Sequence, residues 1–294
     1  MRIGIIGKTV NSTESAEFCY FLIDNLKNRG VEVFVLDLFS EALKREKKKR
    51  LHATIFGSDD FKAINNLDVV MSLGGDGTLL ETVTLVRDSG IPVLGINLGR
   101  LGFLASVSKN EIYYAIEELV KGAYRLDKRN LLYLECEEKF FGPVNFALND
   151  FVIHKNDSSS MITIHAFING EFLNSYWGDG LIISTPTGST GYSLSCGGPI
   201  LFPQSESFVV TPVSPHNLNV RPIIISDKSV LSFEVEGRSS SFLVSLDSRS
   251  CSVNYDVPMA VRKAPFTINL VQFDSTNYLK TLRTKLSWGV DSRN

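Results

Sequence analysis

The residues best suited to chemistry in this sequence begin at Gly74. The apolar run Val69-Val70-Met71-Ser72-Leu73 leads into Gly74-Gly75-Asp76-Gly77-Thr78, and a segment with helical spacing follows from Leu79-Leu80. A turn between the carboxyl end of a strand and the amino end of a helix presents free backbone N–H groups and the positive end of the helix dipole, a combination that attracts anions. Three glycines let that backbone come close to a phosphate. A carboxylate repels bound phosphates unless it carries a metal ion or takes a proton from an attacking hydroxyl, so Asp76 points to phosphoryl transfer. The alternative is a tight turn in which Asp76 caps the helix.

A second candidate lies a hundred residues on. Gly178-Asp179-Gly180 precedes the apolar run Leu181-Ile182-Ile183, which opens into Ser184-Thr185-Pro186-Thr187-Gly188-Ser189-Thr190-Gly191-Tyr192-Ser193. Hydroxyls and glycine at this density, pinned by one proline, offer donors and acceptors to a sugar, a phosphate or a base edge without net charge. An ordinary hydrophilic turn is the alternative. Asn149-Asp150 stands before Phe151-Val152-Ile153, and an asparagine amide matches the donor and acceptor of an adenine edge. Taken alone, Asn-Asp also reads as a simple turn. Gly7-Lys8-Thr9 has the look of a P-loop tail, but position 2, where that motif needs glycine, is Arg2; it reads as the end of a strand.

These groups need a frame. Short apolar runs at Arg2 to Ile6, Val31 to Leu36, Asp68 to Leu73 and Pro92 to Asn97 alternate with helix-period segments at Ala16 to Asn28 and Thr78 to Arg87, which predicts an α/β layer on a mostly parallel sheet. Ala16, Cys19, Tyr20, Ile23 and Leu26 fall on one helix face, and Gly30 marks its stop. After a helix at Glu111 to Val120 the runs become short and closely spaced, with turn signals such as Asn169-Gly170, as in an all-β domain. The expected division is an α/β domain over 1–105, a β-rich domain over 106–274, and a last helix from Ser275 to Leu286 returning to the first.

Composition removes other classes. A chain of 294 residues with 44% hydrophobic content supports two cores, and 30 basic against 32 acidic residues leave no positive field for nucleic acid. Cys19, Cys136, Cys196 and Cys251 form no CxxC pair, which argues against a disulfide framework or a zinc site and for a reducing, cytoplasmic setting. No apolar stretch is long enough to span a membrane, and the N-terminus lacks a secretory pattern. The basic run Lys44 to Arg50 reads as a solvated surface, with support of a phosphate donor as the alternative.

Taken together, LGGDGT at Leu73 to Thr78, NLGRLGFL at Asn97 to Leu104, NDFVI at Asn149 to Ile153, the run from Gly178 to Ile200, and LRTKLSWG at Leu282 to Gly289 resemble the NAD kinase family in order and spacing. The GGDGT turn alone is shared with diacylglycerol and sphingosine kinases; the STPTGSTGY stretch in that company is far more specific. The resemblance implies a Rossmann-like α/β domain, a β-sandwich-like domain, an active site between them completed by a neighbouring subunit, and a homodimer or homotetramer. It implies Asp76 as general base for the ribose 2′-hydroxyl, Gly74, Gly75, Gly77 and Thr78 as the phosphate loop, and Phe103 as a wall of the dinucleotide pocket. Asn149 would hold the adenine and Asp150, where many members carry glutamate, the ribose hydroxyls. Asp179 would meet the nicotinamide end, and Thr187, Thr190, Gly191, Tyr192 and Ser195 the adenosine portion, with Gly191 standing where alanine is common.

The reaction so implied moves the terminal phosphoryl group of ATP or another phosphate donor, accompanied by Mg²⁺ or another divalent cation, onto the ribose 2′-hydroxyl of NAD to give NADP. His52, His154 and His165 lack metal-ligand spacing, so the metal is expected with the nucleotide; His216 is read as structural. A lipid kinase sharing the GGDGT turn and a non-catalytic dinucleotide sensor are the rival readings. The missing amphipathic membrane segment weighs against the first, and Asp76, which binding alone does not need, against the second.

Overall fold

The computed structural model describes all residues except 11, 48, 100–101, 157–160, 275–276 and 289–294. The chain forms two compact units, Met1–Lys128 with Ile268–Asn294, and Arg129–Thr267. Residues 106–128 therefore group with the first unit, because the helix they contain packs beside the parallel sheet there.

The first unit alternates strand and helix: β1 Arg2–Gly7, α1 Thr13–Asn28, β2 Glu32–Leu36, α2 Asp37–Glu46, β3 Thr54–Phe56, α3 Phe61–Asn65, β4 Val69–Gly74, α4 Asp76–Val86, β5 Val93–Asn97, β6 Val107–Ser108 and α5 Ile112–Lys121. Its strands lie in the order β3-β2-β1-β4-β5, each pair parallel. The central strands RIGIIG, VVMSLG and VLGIN are apolar along nearly their whole length, as strands covered on both faces must be, and Ile3, Val70, Leu73 and Leu94 are fully buried. The predicted face of α1 is the buried one; Ser12 caps the helix by accepting the Ser15 N–H, and Gly30 follows its end with φ +77°.

The chain leaves β1 through α1 toward one edge of the sheet and leaves β4 through α4 toward the other. Neighbouring strands whose connections diverge leave a crevice at their carboxyl ends, the usual ligand position in open α/β sheets. The basic run is held against α1, with Lys47 on Glu17 at 2.5 Å, Lys49 on Asp24 at 3.1 Å, and the Tyr20 hydroxyl donating to the Lys49 carbonyl at 2.9 Å. Lys48 of that run lies outside the described residues.

In the second unit strands follow one another closely: β7 Arg125–Glu135, β8 Phe146–Ala147, β9 Asp150–Lys155, β10 Ile162–Ile168, β11 Glu171–Gly178, β12 Gly180–Ser184, the short helix α6 Tyr192–Ser195, then β13 Ser207–Val213, β14 Ile223–Ser226, β15 Leu231–Glu236, β16 Ser241–Leu246, β17 Arg249–Asn254 and β18 Met259–Gln272. One antiparallel sheet runs β14-β13-β12-β9-β16-β17, and a second carries β11-β10-β15-β18. Alternate residues of both sheets, among them Phe151, Ile164, Phe208, Phe233 and Val244, bury one shared core, which makes the unit a sandwich. Asn169-Gly170 joins β10 to β11 with both φ positive, the backbone of a two-residue hairpin.

The chain ends with α7, Tyr278–Leu286, in the first unit, where the Lys285 ammonium stands 5.9 Å from the Phe103 ring centre. Ser275 and Gly289, the outer ends of the sequence-predicted C-terminal segments, lie outside the described residues. Among the described residues no helix is long and apolar enough to cross a membrane.

Candidate active site

In the first unit the GGDGT turn sits where the sequence places it, at the carboxyl end of β4 and the start of α4. The buried Thr82 hydroxyl bonds Ser72 Oγ at 3.0 Å and the Thr78 carbonyl at 2.9 Å, fixing the first turn of α4 on β4. A cavity of about 270 Å³ opens beside the turn, lined by Gly74, Gly75 and Thr78 together with Thr9, Ser15 and Asn97. It lies at the carboxyl ends of β1, β4 and β5, the divergent crevice described above. Its volume accommodates a phosphate chain end, and two larger grooves of the second unit, about 590 and 740 Å³, contain none of the predicted substrate-binding residues, the second being lined by His216.

Asp76 does not cap its own helix; the cap is Gly75, which offers no side chain. Its carboxylate instead receives three backbone N–H groups from the segment that follows β5: Phe103 at 2.8 Å, Leu104 at 3.1 Å and Ala105 at 3.1 Å. Asn97, buried at the end of β5, bends the chain into this segment by accepting the Gly99 N–H at 2.7 Å. Gly102 is required by the approach: a Cβ there would run into the Asp76 carboxylate. The helix-cap alternative is thus replaced by a link between the two predicted motifs LGGDGT and NLGRLGFL, of which Arg100 and Leu101 lie outside the described residues. An ionised carboxylate has about four lone-pair directions. Three of these are filled by the backbone N–H groups.

In the second unit the hydroxyl-rich segment splits into two sets. Thr185, Ser189 and Ser193 are buried and spent on structure: Thr185 Oγ1 donates to the Leu148 carbonyl at 2.6 Å, Ser189 Oγ to the Pro186 carbonyl at 2.7 Å, and Ser193 Oγ pairs with Thr211 at 2.8 Å. Thr187 is buried too, and the Arg129 guanidinium donates to its hydroxyl at 3.1 Å. Thr190 and Gly191 are half-buried, while Tyr192 and Ser195 are exposed. Gly188 lets the segment lie on the Asn149 backbone, where any Cβ would collide.

Asn149 and Asp150 are consequently brought beside this segment, with the Thr185 N–H donating to the Asn149 carbonyl at 2.9 Å. The Asn149 side-chain oxygen is buried and has no hydrogen-bond partner among the described residues. A buried acceptor without a partner costs roughly 1–3 kcal/mol, a cost that a ligand N–H removes. Asp179 accepts an ion pair from Lys155 at 2.7 Å. His216, read as structural, donates its backbone N–H to the Trp177 carbonyl at 2.8 Å and lays its ring 4.6 Å from that indole.

The Asp150 carboxyl is pushed up to about 7, first by burial and then by the neighbouring charge of Asp247. The folded protein holds this proton more tightly than the unfolded chain, so the stability it contributes is complete below about pH 4 and is lost as pH rises through 7. Asp150→Asn, measured without substrate, should therefore melt higher than the wild type at pH 8, by roughly 2–4 °C for each kcal/mol of relief, and the gain should shrink toward pH 4. A gain independent of pH would contradict this assignment.

Signals for two contributors were present but unread. The glycine of LGFL marks Gly102, whose need is steric and follows only once Asp76 is placed. Arg129, in the charged first half of β7, is a buried guanidinium whose Thr187 partner is 58 residues away in sequence.

The sequence profile of the ATP-NAD kinase N-terminal domain matches residues 3–124, and that of the ATP-NAD kinase C-terminal domain matches residues 148–273. An NAD kinase of Flavobacterium psychrophilum is 45% identical over 100% of both chains, and an NAD kinase of Cytophaga hutchinsonii is 56% identical over 77% of this chain and 78% of its own. Among solved structures, a crystal structure of yeast NADH kinase complexed with NADH superposes with a TM-score of 0.86 at 27% identity, covering 99% of this chain and 89% of that one.

Proposed function

Because the chain belongs to the ATP-NAD kinase family, we propose that it transfers the terminal phosphoryl group of ATP to the 2′-hydroxyl of the adenosine ribose of NAD, producing NADP. The observation that carries the chemistry is the Asp76 carboxylate, fixed by three N–H groups within the turn whose Gly74, Gly75 and Thr78 line the cavity. Asp76 accepts the proton of the 2′-hydroxyl, and the oxygen attacks the terminal phosphorus in line. Gly74, Gly75 and Gly77 offer backbone N–H groups and the α4 dipole to the donor phosphates, and Thr78, whose own N–H donates to the Gly75 carbonyl, its hydroxyl. Asn149, through its unpartnered oxygen, takes the amino group of adenine, and Asp150 the ribose hydroxyls. Phe103, Thr187, Thr190, Gly191, Tyr192 and Ser195 complete the dinucleotide contacts, and Asp179 meets the nicotinamide end.

No group of three or more His, Cys, Asp or Glu side chains among the described residues is arranged to hold a metal ion. The divalent cation of the reaction arrives with the nucleotide as Mg-ATP, where it offsets charge on the phosphates. A lipid kinase is not favoured, since the NAD kinase likeness extends over the whole chain.

Incubation with NAD and Mg-ATP should yield NADP, read by an NADP-specific dehydrogenase, and EDTA should stop it. A sphingoid base or diacylglycerol phosphorylated in place of NAD would overturn the reading. Phe172, Trp177, Leu218 and Ile224 are exposed on β11, on β14 and in the segment before β14, the chemistry of a self-association face. Light scattering on the same preparation should give twice or four times the 32.6 kDa chain mass.

A further inference from the structure

Asn149 and Asp150 lie at the end of a segment, 144–150, that is only briefly in a strand before β9 begins. Their side chains are useful only if this backbone is held, and its backbone polar groups have to find partners without a continuous ladder. The partners come from the two-residue turn between β16 and β17, where Leu246 pairs with Arg249 and Asp247 takes φ +54°. From that turn the Asp247 carboxylate accepts the N–H groups of Leu148 at 2.9 Å, Asn149 at 2.7 Å and Asp150 at 3.2 Å, and the Asp247 N–H donates to the Asp150 carbonyl at 3.0 Å. Two residues on, the Arg249 guanidinium donates to the carbonyls of Val144 and Phe146. An anion collects the amides and a cation collects the carbonyls of one short segment. On its other side Thr185 takes the Leu148 and Asn149 carbonyls.

We propose that Asp247 and Arg249, at the tip of the β16–β17 hairpin, are positioning residues for dinucleotide binding: they fix the backbone from which Asn149 and Asp150 reach NAD. The inference rests on the functional reading above and adds to it a pair of residues that never touch substrate. The left-handed backbone at Asp247 favours aspartate or asparagine, so the conformation survives Asp247→Asn. The asparagine amide, however, turns an NH₂ toward backbone donors, so at least one of the three N–H groups loses its acceptor. In Arg249→Met the side-chain stem still packs beside Phe141 and Phe146, whose rings lie 5.8 and 6.0 Å from the guanidinium, while both donors are lost.

The test is a comparison of steady-state constants with backbone amide exchange. Asp247→Asn should raise KM for NAD about tenfold, or about 1.4 kcal/mol, leave KM for ATP within about twofold, and speed amide exchange at 148–150. Arg249→Met should move both readouts in the same direction by less. Equal changes in the two KM values, or faster exchange with KM for NAD unmoved, would overturn the positioning role. Failure of the wild-type protein to form NADP would overturn the functional reading, and this role with it, while amide exchange would still report whether the hairpin tip holds the segment.

Discussion

Asp76→Asn is expected to lower turnover by about 10²–10⁴, the range typical of a missing general base, with the dissociation constant for NAD changed less than about threefold. The amide is nearly isosteric with the carboxylate but cannot take a proton from the 2′-hydroxyl at neutral pH. It also presents an NH₂ toward the N–H groups of Phe103, Leu104 and Ala105, which now share the carboxylate oxygens. Calorimetric titration with NAD separates the two effects. Loss of turnover with intact binding marks the proton transfer, whereas a parallel loss of both would make Asp76 a scaffold for the 103–105 segment.

Gly102→Ala should be nearly as damaging although alanine carries no functional group. Its Cβ would occupy the space of the Asp76 carboxylate, so either the carboxylate or the 102–105 backbone has to move. Overpacking of this kind costs about 1–3 kcal/mol of stability, and displacement of a reacting group by about 1 Å costs on the order of 10² in rate. A drop in turnover of that size with a modestly lower melting temperature is the expected result. Turnover within about twofold of the wild type would show that the carboxylate has room the structure does not give it.

What could be read from the sequence follows the range of the interactions. The parallel strands β1, β4 and β5 are continuous apolar runs and α1 keeps strict helical spacing, so each declares itself locally. The turn at Asn169-Gly170 is likewise a property of two residues. β11 and β17 declare themselves weakly, because edge strands such as EFLNSYWG and RSCSVN are half exposed and carry polar or bulky residues on the open face. Only the second half of β18 reads as a strand, because its first half, MAVRKAP, mixes charge with apolar residues. The candidate site shows the same division. GGDGT, Asn149-Asp150 and the STPTGSTGY stretch are recognisable by composition, whereas the acceptance of three amides by Asp76, the steric need for Gly102 and the grip of Asp247 on 148–150 join residues 26 or more positions apart. Such pairings exist only after folding.

NAD analogues lacking one ribose hydroxyl test the central claim most directly, because they ask which oxygen the Asp76 carboxylate serves. With Mg-ATP, the protein should phosphorylate NAD lacking the 3′-hydroxyl of its adenosine ribose and leave the 2′-deoxy analogue untouched while still binding it. Phosphorylation of the 2′-deoxy analogue at a rate comparable to NAD would contradict the account.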